Sequence, residues 1–500
     1  MQKENVELLA QQRSHTRSEK FAPGFVTEHA PAAIADISLG QSLRTALPMF
    51  LSLSMISAIS LIDITLAGIL GPTAQAALGI ADQIVFLNML VMTGFCAGVN
   101  SFVSQSFGAG RLSQARTQMK YSMILSSIVG IVATAVGFCA ADPVASAFTS
   151  NPAVQEQAAM FIRLCAFGNL PWALVMCQGA IFRASGNARL CVAQWLIITL
   201  LCVGGELVAF FILPGCRSIA PLAVSWDLAV FAGFLVGNRS LKKLTPESIP
   251  FSLSDFAAHA RSLLAVGAPV MVAEMCWLFS NLLLFSLLSV LPQPTTNQAA
   301  WTLHLKIEEA VAYVPLMAWC QATATITGNR IGAANHQEAR RISARMAVAA
   351  VLVMFILGCV TALTAPLAVQ LASSDAEVKR ISQQLLLGSI VTFPMNALTL
   401  VLSAALEGAG STVMPMTVNL VGLIVVRLPM AWLLAVPGCL GIAGVWMAKC
   451  LSNALTVCGM LVAFKRANWR KTQTADSASV IHSTPEDELS PVWIYIHGAD

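Results

Sequence analysis

The chain has 500 residues, 56% of them hydrophobic and only 11% charged, with a mean hydropathy of +0.72 and a formal net charge of +4. Soluble domains carry about 25% charged residues, so this composition excludes an ordinary soluble domain and describes a polytopic membrane protein. So small a net charge gives no reason to expect a nucleic-acid partner.

Residues 1–40 are polar and lack the apolar stretch of a secretory signal, so they read as a mobile tail. Crossing about 30 Å of hydrocarbon takes about 20 apolar residues. Twelve runs meet that need: 46–69, 75–99, 119–141, 158–180, 190–213, 219–237, 263–290, 300–326, 345–371, 381–404, 414–436 and 440–464. Helices are required, because every backbone group must be satisfied within the bilayer, and the runs are too long and continuous for barrel strands. The expected organisation is a tail (1–40), an N-lobe (41–240), a linker (241–262), a C-lobe (263–466) and a second tail (467–500).

Basic residues orient these spans. Of the 29 Lys and Arg residues, only Arg217, Lys379 and Arg380 fall on one side, and Arg163, Lys306, Arg427 and Lys449 lie within spans. The rest gather on the other side, in stretches such as NRSLKK (238–243) and EARRISAR (338–345). That bias predicts both termini in the cytoplasm of a plasma, bacterial inner, membrane.

The chain also repeats itself. SFGAGRLSQAR (106–116) aligns with RIGAANHQEAR (330–340), and AIFRASGNA (180–188) with AALEGAGST (404–412), both at an offset of 224. Pro48 in span one answers Pro269 in span seven, and PGC recurs at 214–216 and 437–439. Two copies of a six-helix unit are thus expected, related by an axis along the membrane normal, with a substrate site between them. Gly108, Gly332, Glu407 and Gly410 in these motifs, with Pro48, are candidate conformational residues. Oxidation of Cys216 with Cys439 is an open alternative for the two PGC loops.

Charges inside the spans are costly and mark function or a partner. Asp63, Asp82, Glu206 and Asp227 in the first half, with Lys306, Glu308, Glu309, Arg427 and Lys449 in the second, form one layer roughly 9–15 Å below the basic-poor surface at 1.5 Å per residue. Glu274 lies nearer mid-membrane. The first half is acidic, offset only by Arg163. Carboxylates crowded in low dielectric can hold a proton between them or ligate a small hard cation, so Asp63 and Glu206 are the cation-coupling candidates. Glu274, Lys306, Glu308, Glu309 and Asp82 are candidates for the substrate cavity. His304 with Glu308, and Lys306 with Glu309, share a helix face and can neutralise each other. Arg427 reads as a structural ion-pair partner.

Taken together, ALPMF, LIDITLAGILG, VSQSFGAG, LEGAGSTVMPM and RLPMAWLLAVPGCLGIAGVW in this order resemble the multidrug and toxic compound extrusion (MATE) family of the multidrug/oligosaccharidyl-lipid/polysaccharide flippase superfamily. The resemblance covers nearly all of 41–470. It implies an all-α polytopic fold of twelve transmembrane helices in two pseudo-symmetric lobes around a central cavity. It implies efflux of organic, often cationic and amphipathic, compounds in exchange for H⁺ or Na⁺. Asp63 matches the family's first-helix aspartate, whereas Glu206 lacks the usual Asn–Asp context and span ten has no mid-span acid. A lipid-linked precursor flippase or a dedicated metabolite exporter is the alternative. No HExxH, Gly-flanked catalytic Ser or phosphate-cradling loop suggests an enzyme. No cofactor or metal is expected beyond the coupling ion. The expected partners are a small-molecule substrate and the lipid bilayer, with the chain working as a monomer.

Overall fold

The computed structural model describes residues 39–469 except 213–217, 245–249, 373–374, 437 and 439. Among the described residues the chain is helical throughout. α1 (Leu39–Leu70), α2 (Pro72–Gly108), α3 (Leu112–Phe148), α4 (Pro152–Ala184), α5 (Ala188–Leu207, with a π-turn Val208–Ile212) and α6 (Ala220–Leu244) form the first lobe. The second consists of α7 (Leu253–Leu288), α8 (Pro294–Glu308, a π-turn Glu309–Tyr313 and Val314–Gly332), α9 (His336–Ala372), α10 (Ala376–Leu387 and Ser389–Gly408), α11 (Val413–Asn419, a π-turn Leu420–Val426 and Arg427–Ala435) and α12 (Gly441–Arg466).

Local chemistry sets the helix ends. Pro72, Pro152 and Pro294 open their helices, where the missing N–H costs nothing. Asn151, Ser252 and Asp375 cap α4, α7 and α10 by accepting backbone N–H groups. The described helices run past the expected spans. α2, α3 and α9 have 37 residues each, roughly 55 Å at 1.5 Å per residue. Apolar composition marks only the part in lipid, and the helices continue into water on polar residues. For the same reason, helix occupies 241–244 and 253–262 of the expected 241–262 linker.

Eleven of the described helices are long and apolar enough to cross a membrane. The twelfth is α8. Its π-turn follows Lys306 and Glu308 directly and begins at Glu309, so the charges and the break fall together.

The repeat is visible in backbone geometry. Gly110 and Ala334 both have left-handed φ, 72° and 57°, and so do Gly186 and Gly410, at 78° and 76°. Each closes a helix with the same hydrogen bonds: Arg111 N–H to Ser106 and Asn335 N–H to Arg330, both 3.0 Å, then Asn187 N–H to Phe182 and Ser411 N–H to Leu406, both 2.8 Å. Glycine adopts this conformation without strain, which is why three of the four positions use it.

The lobes meet along α2, α7, α8 and α10, on the side carrying the basic loops. A Cβ on Gly108 would strike the carbonyl of Asn329, and one on Gly332 the carbonyl of Gln105. Gly94 and Gly267 cross in the same way, their added Cβ atoms lying 2.7 and 2.6 Å from each other's carbonyl oxygen. Polar groups close this seam: Ser101 and Gln105 donate to the Gly408 carbonyl at 3.3 and 3.0 Å, and Thr325 to Asn100 at 3.0 Å. Ser122 bonds His259 at 3.1 Å beside an aromatic cluster of Tyr121, Phe251 and Phe256. Cys216 and Cys439 lie outside the described residues.

Candidate functional site

In the first lobe, Glu206 sits on α5 two residues before the π-turn and is completely buried. Cys202, one turn earlier, donates its S–H to Glu206 Oε1 at 2.8 Å. The Asp63 carboxyl on α1 lies within electrostatic reach of the Glu206 carboxyl. Asp63 Oδ1 and Glu206 Oε2 are buried without a hydrogen-bond partner.

Asp82 on α2 is within electrostatic reach of Asp63, and also of Lys306 on α8 in the other lobe. Asp227 on α6 packs on the Gly168 backbone, which only a missing Cβ permits. Arg163 is paired with Asp142 and both are exposed, so it does not offset the acidic layer as the sequence suggested. Pro48 lines a small cavity of about 40 Å³ with Arg183, Trp195 and Gln321. Among the described residues, no group of three or more His, Cys, Asp or Glu side chains is placed to hold a metal ion.

The second lobe is organised differently. Glu308 Oε2 accepts from Lys449 Nζ on α12 at 2.7 Å and lies 3.5 Å from His304 Nε2. Lys449 Nζ is also 3.4 Å from His304 and 5.7 Å from the centroid of Trp301. Arg427, directly after the α11 π-turn, is 4% exposed and donates to Ser452 at 2.8 Å and Asn453 at 2.6 Å. Asn453 in turn donates to Asn396 at 3.1 Å. Arg427 is thus held by neutral groups, with Glu308 only within longer electrostatic reach. Lys306 and Glu309 pair at 2.9 Å on an exposed face.

Glu274 does not join this group. It lies within electrostatic reach of Glu407 and Tyr313, and Glu407 accepts from Ser403 at 3.0 Å. Sequence reasoning missed the clustering role of Lys449, and missed Trp301 and Cys202 altogether. For Cys202 a signal existed, since it stands four residues before Glu206 on one helix face. All three π-turns among the described residues adjoin layer residues: Glu206, Glu308 with Glu309, and Arg427. Such turns are frequent at functional sites.

The MatE family model matches residues 48–205 and 269–433. The chain belongs to the MatE family. Two similar relatives are a probable multidrug resistance protein NorM of Bradyrhizobium diazoefficiens, 25% identical over 84% of this chain and 92% of that protein, and the uncharacterized transporter YisQ of Bacillus subtilis, 19% identical over 80% and 86%. The fold matches a mutant of the MATE transporter VcmN of Vibrio cholerae with a TM-score of 0.79, at 18% identity over 87% of this chain and 98% of that one. It also matches a MOP superfamily transporter from Pyrococcus furiosus with a TM-score of 0.77, at 19% identity over 86% and 98%. This MATE transporter is an integral membrane protein of twelve helices, and its relatives are transporters rather than enzymes.

Proposed function

We propose that this MATE chain is a secondary active antiporter of a plasma membrane, with both termini in the cytoplasm, exporting organic cationic or amphipathic compounds by alternating access of its lobes. The observation that carries the reading is the Asp63–Glu206 carboxyl pair, buried in the first lobe with two unpartnered oxygens. A proton is favoured over Na⁺ as the coupling ion, because a hard cation takes oxygen ligands and Cys202 presents sulfur at this site. The glycine seam holds the lobes together on the basic side, which supports a cleft opening away from the cytoplasm in this conformation. Arg427, a buried guanidinium held by neutral groups, favours, as a second reading, a dedicated exporter of a metabolite bearing an anionic group, or a lipid-linked precursor flippase.

The test is ethidium efflux from proteoliposomes under an imposed pH gradient, then under a Na⁺ gradient, for wild type and Asp63→Asn. Efflux driven by the pH gradient and lost in Asp63→Asn is the expected result. Efflux that stays fully coupled in Asp63→Asn overturns the site, and no dye movement under either gradient moves the assignment to the second reading.

A further inference from the structure

The second lobe carries cations on the helices where the first lobe carries carboxylates, beside acids of its own at Glu308 and Glu309. At the repeat offset of 224, Asp82 corresponds to Lys306. Arg427 and Lys449 stand on α11 and α12, the helices that repeat the α5 of Glu206 and the α6 of Asp227. Where the first lobe presents buried carboxylates on α5 and α6, the second presents the buried cations Arg427 and Lys449 on α11 and α12, and Lys306 on α8 is exposed and paired with Glu309.

What surrounds Lys449 is what an ammonium-type cation requires. A carboxylate oxygen stands at 2.7 Å, an imidazole nitrogen at 3.4 Å and an indole face at 5.7 Å. Carboxylate, nitrogen acceptor and aromatic face together make a cation cage. The cage is dry: Trp301 and His304 are 0% and 1% exposed, and Trp301 Nε1, His304 Nδ1 and Glu308 Oε1 have no hydrogen-bond partner. Arg427 cannot take the place of Lys449 without leaving Ser452 and Asn453, which hold it at 2.8 and 2.6 Å.

We propose that the second lobe contains a site for one monovalent ammonium-type cation, and that the chain fills this site permanently with its own Lys449. Lys449 is then a built-in counter-ion. Taken with the antiport reading, on which this last step rests, it leaves the first lobe as the single place where an exchangeable ion is carried.

The experiment uses the full chain in nanodiscs and reads thermal midpoint, with no transport step. Lys449→Ala empties the cage, and n-propylammonium is titrated against an N-methylglucamine background. The expected result is a lowered midpoint in Lys449→Ala that rises saturably with millimolar n-propylammonium, with no rise in wild type or in Lys449→Ala/Glu308→Gln. A folded Lys449→Ala protein with no such rise overturns the proposal, as does an equal rise in wild type. If Lys449→Ala does not fold, Lys449→Met and Lys449→Met/Glu308→Gln decide. The double variant recovers the midpoint lost by the single one if Lys449 serves as counter-ion, and failure to recover overturns it. Because the readout is stability, it stands or falls separately from ethidium efflux.

Discussion

Gly108→Ala adds one methyl group where α2 passes the carbonyl of Asn329 on α8. Both neighbours are backbone, so neither can swing aside, and the contact is tighter than real Cβ atoms tolerate. Overpacking of this kind costs about 1–3 kcal/mol. The cost falls only on the state in which the seam is closed, so the balance between closed and open seams shifts about 5- to 150-fold. Gly332→Ala meets the repeat-related carbonyl of Gln105 and should act alike. The assay is the distance distribution between spin labels at Ser113 and Gln337, exposed residues just beyond the two seam helices. The background lacks the exposed Cys139 and Cys458 and the cysteines of the two PGC motifs, Cys216 and Cys439. The short-distance population falls in each single variant and falls further in the double variant. A distribution unchanged in Gly108→Ala would refute the argument, because it would show that the seam has room for a side chain.

Cys202→Ala leaves a buried oxygen of Glu206 without its donor, a loss of about 1–3 kcal/mol, so efflux driven by the pH gradient should drop at least several-fold while Cys202→Ser restores it; equal rates in both would exclude the thiol. Arg427→Met leaves the Asn453 Oδ1 without its donor at about 1–3 kcal/mol, while Ser452 keeps its bond to the Lys449 carbonyl; the thermal midpoint falls, and Arg427→Lys does not recover it because one ammonium cannot reproduce the fork. The Arg380 guanidinium holds the Glu377 carboxyl below its ordinary value of 4.5 at the exposed start of α10. A depressed carboxylate contributes above its unfolded value and loses that contribution as pH falls through its folded one. The midpoint difference between wild type and Glu377→Gln should therefore be present at pH 7 and vanish below the ordinary carboxylate range.

Much of the architecture was legible because hydropathy runs and basic-residue bias are local signals, read without knowing what packs on what. The repeat was legible for a related reason: Gly110, Gly186 and Gly410 occupy left-handed positions that few residues tolerate, so the helix-end motifs keep their pattern. The partners of the buried charges were not legible. Glu308 and Lys449 are 141 residues apart, and no periodicity pairs them; the local pairing of Glu308 with His304 is visible in the sequence, its pairing with Lys449 is not. Arg163 was matched to the acidic layer on depth alone, whereas α3 brings Asp142 beside it. The sequence groups Glu274 with Lys306, Glu308 and Glu309 as substrate-cavity candidates, yet helix crossing puts Glu407 within its reach. The π-turns follow no sequence pattern, and they rotate Glu206, Glu308 and Arg427 against the helix on either side.

Gly108 against Asn329 and Gln105 against Gly332 are one contact made twice, with the roles of the two halves exchanged. This is the rule of an isologous dimer interface, in which a patch meets its own copy. In a true homodimer each substitution enters the interface at two places at once, so a costly change is doubled. Fusion of the two copies into one chain removes that coupling while keeping the self-complementary surface. Each half can then change alone: Arg183 and Glu407 occupy equivalent places at the same repeat offset with opposite charge, a combination no symmetric pair of identical subunits could encode.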